Sequence, residues 1–164
     1  MRRVGGTIVS PTETLAPYAS GGAREGGFND LLALLLLQAL SLQFSALTRA
    51  FWQMVDTNIL VGAMSLLQVL AQMMLVPLTA VLVGGVLLRL LHARVQRLRH
   101  LDLAALCAIP AVALQVGVSL LAALAPALYQ HEVQRAVWVV AGVWFLGLLV
   151  LAHRLVRQGA DEER

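Results

Sequence analysis

Residues 57–88 read TNILVGAMSLLQVLAQMMLVPLTAVLVGGVLL, a stretch of 32 residues without a charged side chain. A helix crosses the hydrocarbon core of a membrane, about 30 Å thick, with about 20 mostly apolar residues. As one helix this stretch would be about 48 Å long, whereas two spans joined by a turn would need about 40 residues or more. The stretch therefore predicts a single long helix, tilted or kinked near Pro77, because proline removes one backbone hydrogen bond from a helix.

Three other uncharged stretches, at residues 31–48, 103–130 and 136–152, are long enough for a membrane span once flanking apolar residues are added. The sequence thus predicts an all-α fold, an integral membrane bundle of four transmembrane helices. We place the spans at about residues 31–51, 58–88, 103–126 and 136–155, within a transmembrane domain that covers residues 30–156.

The composition excludes an ordinary water-soluble domain. Of the 164 residues, 59% are apolar and 13% are charged, and the mean hydropathy is +0.79. Soluble domains contain about 45–50% apolar and about 25% charged residues. Extensive disorder is also excluded, since disordered chains have low hydrophobicity. The single cysteine, Cys107, excludes a disulfide framework.

The distribution of arginine predicts the orientation in the membrane. All 12 strongly basic residues are arginine, against nine acidic residues, which gives a net charge of +3. Ten of the arginines lie in residues 1–29, in residues 89–100 or after residue 152, and only Arg49 and Arg135 lie on the other side. By the positive-inside rule, both termini are cytoplasmic in a multi-pass protein of the bacterial inner (cytoplasmic) membrane. The positive charge is then a consequence of topology, and we expect no nucleic-acid partner.

The first 29 residues are rich in glycine and contain Pro11 and Pro17. They lack the apolar stretch of a signal peptide, so we predict a flexible cytoplasmic arm at residues 1–29. Residues 157–164 form a short cytoplasmic tail in this interpretation.

The sequence offers no candidate catalytic site. No ionisable residue falls in the middle of a predicted span, and a nucleotide-binding loop, an HExxH motif and a nucleophile elbow are all lacking. We therefore expect no enzymatic activity, no cofactor and no metal. His92 and His153 lie near the cytoplasmic ends of two predicted helices and could approach one another. Paired histidines can hold a membrane haem, but these lie too close to the interface, and we interpret them as interfacial polar residues.

Polar side chains within the predicted spans form a second set of candidates. Gln68 and Gln72 are four residues apart and share one helix face. The possible intramembrane polar contacts are Gln38, Gln68, Gln72, Gln115 and Ser119. They either hydrogen-bond between helices or form a polar path or ligand pocket at the centre of the bundle.

Residues 89–101 combine apolar residues at helical spacing with Arg89, Arg94, Arg97 and Arg99. This pattern fits a topology anchor, a surface that meets anionic lipid headgroups, or a docking surface for a cytoplasmic partner.

The order of these features resembles the bacterial Yip1-domain family. Residues 10–15, SPTETL, resemble the proline-containing start of that family's cytoplasmic arm. The charged segment 89–100, followed by LAALCAIP at 103–110, resembles its cytoplasmic loop and the proline-containing helix after it. The resemblance implies a non-enzymatic membrane organiser.

Two functions are therefore open. The first is an accessory, assembly or organising subunit of a larger membrane complex, in contact with other membrane subunits or with itself. The alternative is an oligomeric transporter or channel component that uses the Gln/Ser stripe.

Overall fold

The computed structural model of this chain describes residues 2–20, 26–56, 58–92, 100–124 and 131–162. These ranges are helical and contain no strand, which confirms the predicted all-α class. The helices are α1 (Arg2–Val9), α2 (Pro11–Ala19), α3 (Gly27–Leu42), α4 (Phe44–Asp56), α5 (Ile59–Leu91), α6 (His100–Leu124) and α7 (His131–Glu162). Among the described residues, three segments are long and apolar enough to cross a membrane: Met74–Leu91, His100–Leu121 and Glu132–Gly159.

Helix α6 is the centre of the fold. It packs against α3, α5 and α7, and also against α1 and α2. Every residue from 103 to 110 is buried, including Leu106 and Ile109, which are 0% exposed. A helix that is apolar on all sides is covered by protein or by lipid, and residues 103–110 of α6 are covered by protein. The small side chains of Ala104 and Ala108 allow the neighbouring helices to approach closely.

Helix α5 contains nearly all of the 32-residue uncharged stretch in one piece. It runs for 33 residues, with Pro77 inside it, and begins at Asn58, whose side chain accepts a hydrogen bond of 2.9 Å from the Leu60 amide. Its first part packs against α4, where Gly62 meets the backbone of Met54. Its second part packs against α6, where Gly85 faces Leu101. The candidate span begins only at Met74, and Ile59–Gln72 is a shorter apolar segment of the same helix.

The first predicted span, residues 31–51, is divided between α3 and α4, with a break at Gln43. Helix α3 has 16 residues and is therefore about 24 Å long, shorter than a hydrocarbon core of about 30 Å. After the break, Thr48 and Arg49 interrupt the apolar pattern, and α4 is amphipathic, with Phe51 and Trp52 exposed. The described residues thus contain three long apolar helices and a shorter α3, where the sequence predicted four spans.

The head of the chain differs from the predicted flexible arm, because α1 and α2 are helical and packed on the bundle. Leu15, Tyr18 and Ala19 follow the i, i+3, i+4 spacing of one helix face, and all three are buried where α2 packs against α7 and α6. Helix α2 has nine residues and is too short to cross a membrane, so a search for membrane spans does not find this face. Gly26, just before α3, has a φ of 121°, a conformation that favours glycine.

Candidate functional site

A pair of histidines joins the ends of α5 and α7. The Nε2 atom of His92 lies 2.9 Å from the Nδ1 atom of His153, and the two ring centroids are 4.8 Å apart. His92 directly follows α5, whereas His153 lies within α7. In a hydrogen bond between two imidazoles, one ring donates its N–H and the other accepts with an unprotonated nitrogen. The expected approach of His92 to His153 is therefore present in the structure.

The surroundings of this pair disfavour a positive charge on His92. Partial burial lowers the pKa of His92 from its ordinary value, and the nearby His153 and His100 lower it further. The Nε2 atom of His100 is itself buried, and among the described residues it has no hydrogen-bond partner. We call this end of the bundle, marked by His92, His100 and His153, the histidine end.

The contact between His92 and His153 depends on the protonation state of the two rings. Within the described residues, no group of three or more histidine, cysteine, aspartate or glutamate side chains is placed to hold a metal ion. Because its pKa is lowered, His92 takes up a proton at a lower pH than a free imidazole does. Protonation of both rings would leave their hydrogen bond without an acceptor.

A carboxylate at the same end connects α6 to α3. Asp102, in the first turn of α6, accepts a hydrogen bond of 2.9 Å from the backbone N–H of Phe28, near the start of α3. Gly27 contacts the backbone carbonyl of Asp102, so a side chain at position 27 would collide with α6. Asp102 thus stabilises the N-terminus of a neighbouring helix, where negative charge is favoured.

The head of the chain is attached by Arg3. Its guanidinium lies 3.6 Å from Asp30 in α3, and it lies over the ring of Tyr18 in α2, 5.9 Å from the centroid. These contacts could not be found from sequence, because they join residues of three separate helices. Of the four arginines in the predicted cytoplasmic surface, Arg89 is exposed on α5, and Arg94, Arg97 and Arg99 lie outside the described residues.

The predicted polar contacts occupy three different environments. Gln38 in α3 is buried, with an exposed fraction of 8%. Gln115 and Ser119 in α6 are half-buried, and Gln115 lines a cavity of about 150 Å³ between α5, α6 and α7. Gln68 and Gln72 are exposed on the first part of α5. The structure therefore does not bring the glutamines together at the centre of the bundle.

Gln68 lines an open depression on α5 of about 690 Å³. The other residues that line it are Leu60, Val61, Met64, Ser65, Leu67 and Ala71. They follow helical spacing along one side of α5, and α4 packs around Gly62 on another. The residues Leu60, Met64, Leu67, Gln68 and Gln72, all exposed, are called the α5 face below.

Comparison of the chain with known protein families, with curated proteins and with solved structures gave no match.

Proposed function

We propose that this chain is a non-enzymatic accessory, assembly or organising subunit of a larger complex in the bacterial inner membrane. In this proposal α3 is a short fourth span and both termini are cytoplasmic. The observation that carries the proposal is the α5 face, on which Gln68 and Gln72 are exposed beside large apolar side chains. A neighbouring membrane protein is the partner that such a mixed surface fits.

The length of α5 makes the α5 face unfavourable in any orientation without a partner. At 33 residues the helix is about 50 Å long, which exceeds the hydrocarbon core. If the helix stands upright, Leu60, which is 71% exposed, and Met64, which is 68% exposed, project beyond the core toward water. If the helix tilts, Gln68 and Gln72 enter lipid, where an unsatisfied carboxamide costs several kcal/mol. A helix from another subunit relieves both problems.

The contact chemistry suits a helix from another subunit. Each glutamine carboxamide offers two N–H donors and one carbonyl acceptor, and such groups hydrogen-bond between membrane helices. The apolar residues of the α5 face supply van der Waals contact along the same helix side. The α5 face thus combines hydrogen-bonding and apolar contacts, which is the chemistry of binding.

Site-specific photo-crosslinking in native membranes tests the proposal. A photoreactive amino acid replaces Gln68 in one variant, and Val86 in the matched control. Val86 is 54% exposed on the second part of the same helix and lies outside the α5 face. We expect a discrete adduct with a different membrane protein from position 68 and only diffuse lipid adducts from position 86. Equal adducts from both positions would contradict a specific docking face.

The alternative function is an oligomeric transporter or channel component. The depression beside Gln68 on α5 favours this function if further copies of the chain pack there. The crosslinking experiment separates the two functions by mass. An adduct at twice the chain mass of 17.6 kDa, with no other protein present, would replace the accessory-subunit proposal by the oligomeric one. The resemblance to the Yip1-domain family stays a prediction under either function.

A further inference from the structure

A cleft lies between the second part of α5 and α7. One part of the cleft, about 350 Å³, lies between α5 residues from Leu75 to Leu87 and the α7 residues Phe145, Leu146 and Leu149. The deeper part is the cavity of about 150 Å³ that reaches α6. Val76, Ala80 and Phe145 line both parts, so the two adjoin each other. We call them together the α5–α7 cleft.

Small residues form part of the lining of the deeper part of the cleft. Ala108 and Ala111 form its floor on α6, and Ala80, Ala141 and Gly142 lie in its walls. Membrane proteins use such residues to bring helices into contact, but here the helices leave space above them. An apolar void in a packed protein loses van der Waals contacts on all its sides, so filling it is favourable.

The depth and the width of the cleft identify what fills it. Its α5 wall lies within the candidate span Met74–Leu91, so it opens into the hydrocarbon core. A helix with its side chains is about 10–12 Å in diameter, which is too thick for the deeper part. An apolar cavity of about 150 Å³ accepts a molecule the size of benzene. An alkyl chain combines this small cross-section with the length of the cleft.

The cleft also has a polar end. From Leu75 to Leu87 it is about 18 Å long, close to the thickness of one leaflet's hydrocarbon, about 15 Å. Gln115 and Trp138 line it beside Val76, at the end away from the histidines. The Gln115 carboxamide and the Trp138 indole can both donate hydrogen bonds to a carbonyl oxygen. An ester carbonyl at the top of an acyl chain would lie at this position.

We propose that the α5–α7 cleft binds one acyl chain of a phospholipid from the leaflet opposite the histidine end, with its ester group beside Gln115. The proposal goes beyond the proposed function, because it concerns a different surface and a small-molecule ligand. The lipid completes the packing between α5 and α7.

The test compares lipid retention by the full chain and its variants. Each protein is reconstituted with palmitoyl-oleoyl phosphatidylglycerol, extracted into mild detergent, and examined by native mass spectrometry. We expect one phospholipid per wild-type chain. Ala80→Leu, which places a larger side chain at the junction of the two parts, should reduce retention at least tenfold, and Val86→Leu, exposed on α5 outside the cleft, should retain the lipid.

Further variants keep the proposal falsifiable. Ala111→Leu fills the deeper part from α6 and replaces Ala80→Leu if that variant fails to fold, as judged by circular dichroism and gel filtration. Gln115→Leu should weaken retention about fivefold through the loss of one hydrogen bond, and unchanged retention would overturn the placement of the ester. Equal lipid retention by the wild type, Ala80→Leu and Ala111→Leu would overturn the proposal. A wild-type dimer without bound lipid that becomes monomeric in these two variants would also overturn it.

Discussion

Replacing Asp102 by alanine tests whether the histidine end is held together by a contact between α6 and α3. The Asp102 carboxylate accepts a 2.9 Å hydrogen bond from the Phe28 amide, one of the donors that a helix start leaves unpaired. Removing a capping side chain costs about 0.5–2 kcal/mol, and loss of a negative charge near a helix start costs a further ~0.3–1 kcal/mol. We expect Asp102→Ala to lower the free energy of unfolding by about 1–3 kcal/mol.

Asp102→Asn separates the hydrogen bond from the charge. Asparagine keeps an oxygen that can accept from the Phe28 amide and is a good capping residue, so we expect a loss of only about 0.3–1 kcal/mol. The matched control is Asp56→Ala, because Asp56 is exposed at the end of α4, where a negative charge is not favoured by the helix dipole. This control should leave stability unchanged or raise it slightly.

The measurement is helix loss by circular dichroism as protein in mild detergent is titrated with sodium dodecyl sulfate. Hydrogen exchange at the Phe28 amide gives a local readout, since this amide should exchange much faster in Asp102→Ala. Equal stability of wild type and Asp102→Ala, together with unchanged exchange at Phe28, would refute the proposed role of Asp102.

Three further predictions concern the same end of the molecule. Because the pKa of His92 is lowered on folding, the folded state binds fewer protons than the unfolded state, so stability should fall as the pH drops below about 6.5. The pH dependence of stability, measured by the detergent titration, should be weaker in His92→Phe than in the wild type. An unchanged slope in this variant would contradict the prediction. Gly27→Ala places a methyl group against the backbone of α6 and should cost about 1–3 kcal/mol, whereas Gly117→Ala, with open space around it, should be neutral or stabilising by up to about 1 kcal/mol. Arg3→Met removes the contacts of Arg3 with Asp30 and Tyr18 and should lower the free energy of unfolding by at most about 1 kcal/mol. We expect a protease to cleave the head of this variant faster than that of the wild type. Equal resistance to the protease would argue against the attachment by Arg3.

The long-range pattern of the fold was predictable because hydropathy alone specifies it. An uncharged stretch as long as residues 57–88 has few alternatives to a membrane helix, and most of it lies in α5. The break at Gln43 was not predictable in the same way. Residues 31–48 contain no charge, so their hydropathy gives no sign that they divide into α3 and α4, with α4 packed against α5 around Gly62.

Contacts within the site were predictable only where the order of the helices brings two residues to the same end of the bundle. His92 and His153 follow from the prediction that two helices end on the same side of the membrane, and the structure places them in contact. Asp102 lies in the first turn of α6, and its side chain also accepts a hydrogen bond from the Phe28 amide in α3, a contact between two helices that the sequence could not indicate. Gln68 and Gln72 share a helix face as their spacing requires, yet spacing cannot tell whether that face points inward.

The two ends of the bundle differ in whether polar side chains join separate helices. At the histidine end, Asp102 caps α3, Arg3 contacts Asp30, and His92 contacts His153. At the first part of α5, the chain leaves the α5 face uncovered by its described residues. Regions with few buried contacts open locally at low free energy, so a partner would stabilise the first part of α5 far more than the histidine end. Hydrogen exchange that slows only in the first part of α5, when membranes containing the partner are compared with purified protein, is the pattern that the proposed function requires.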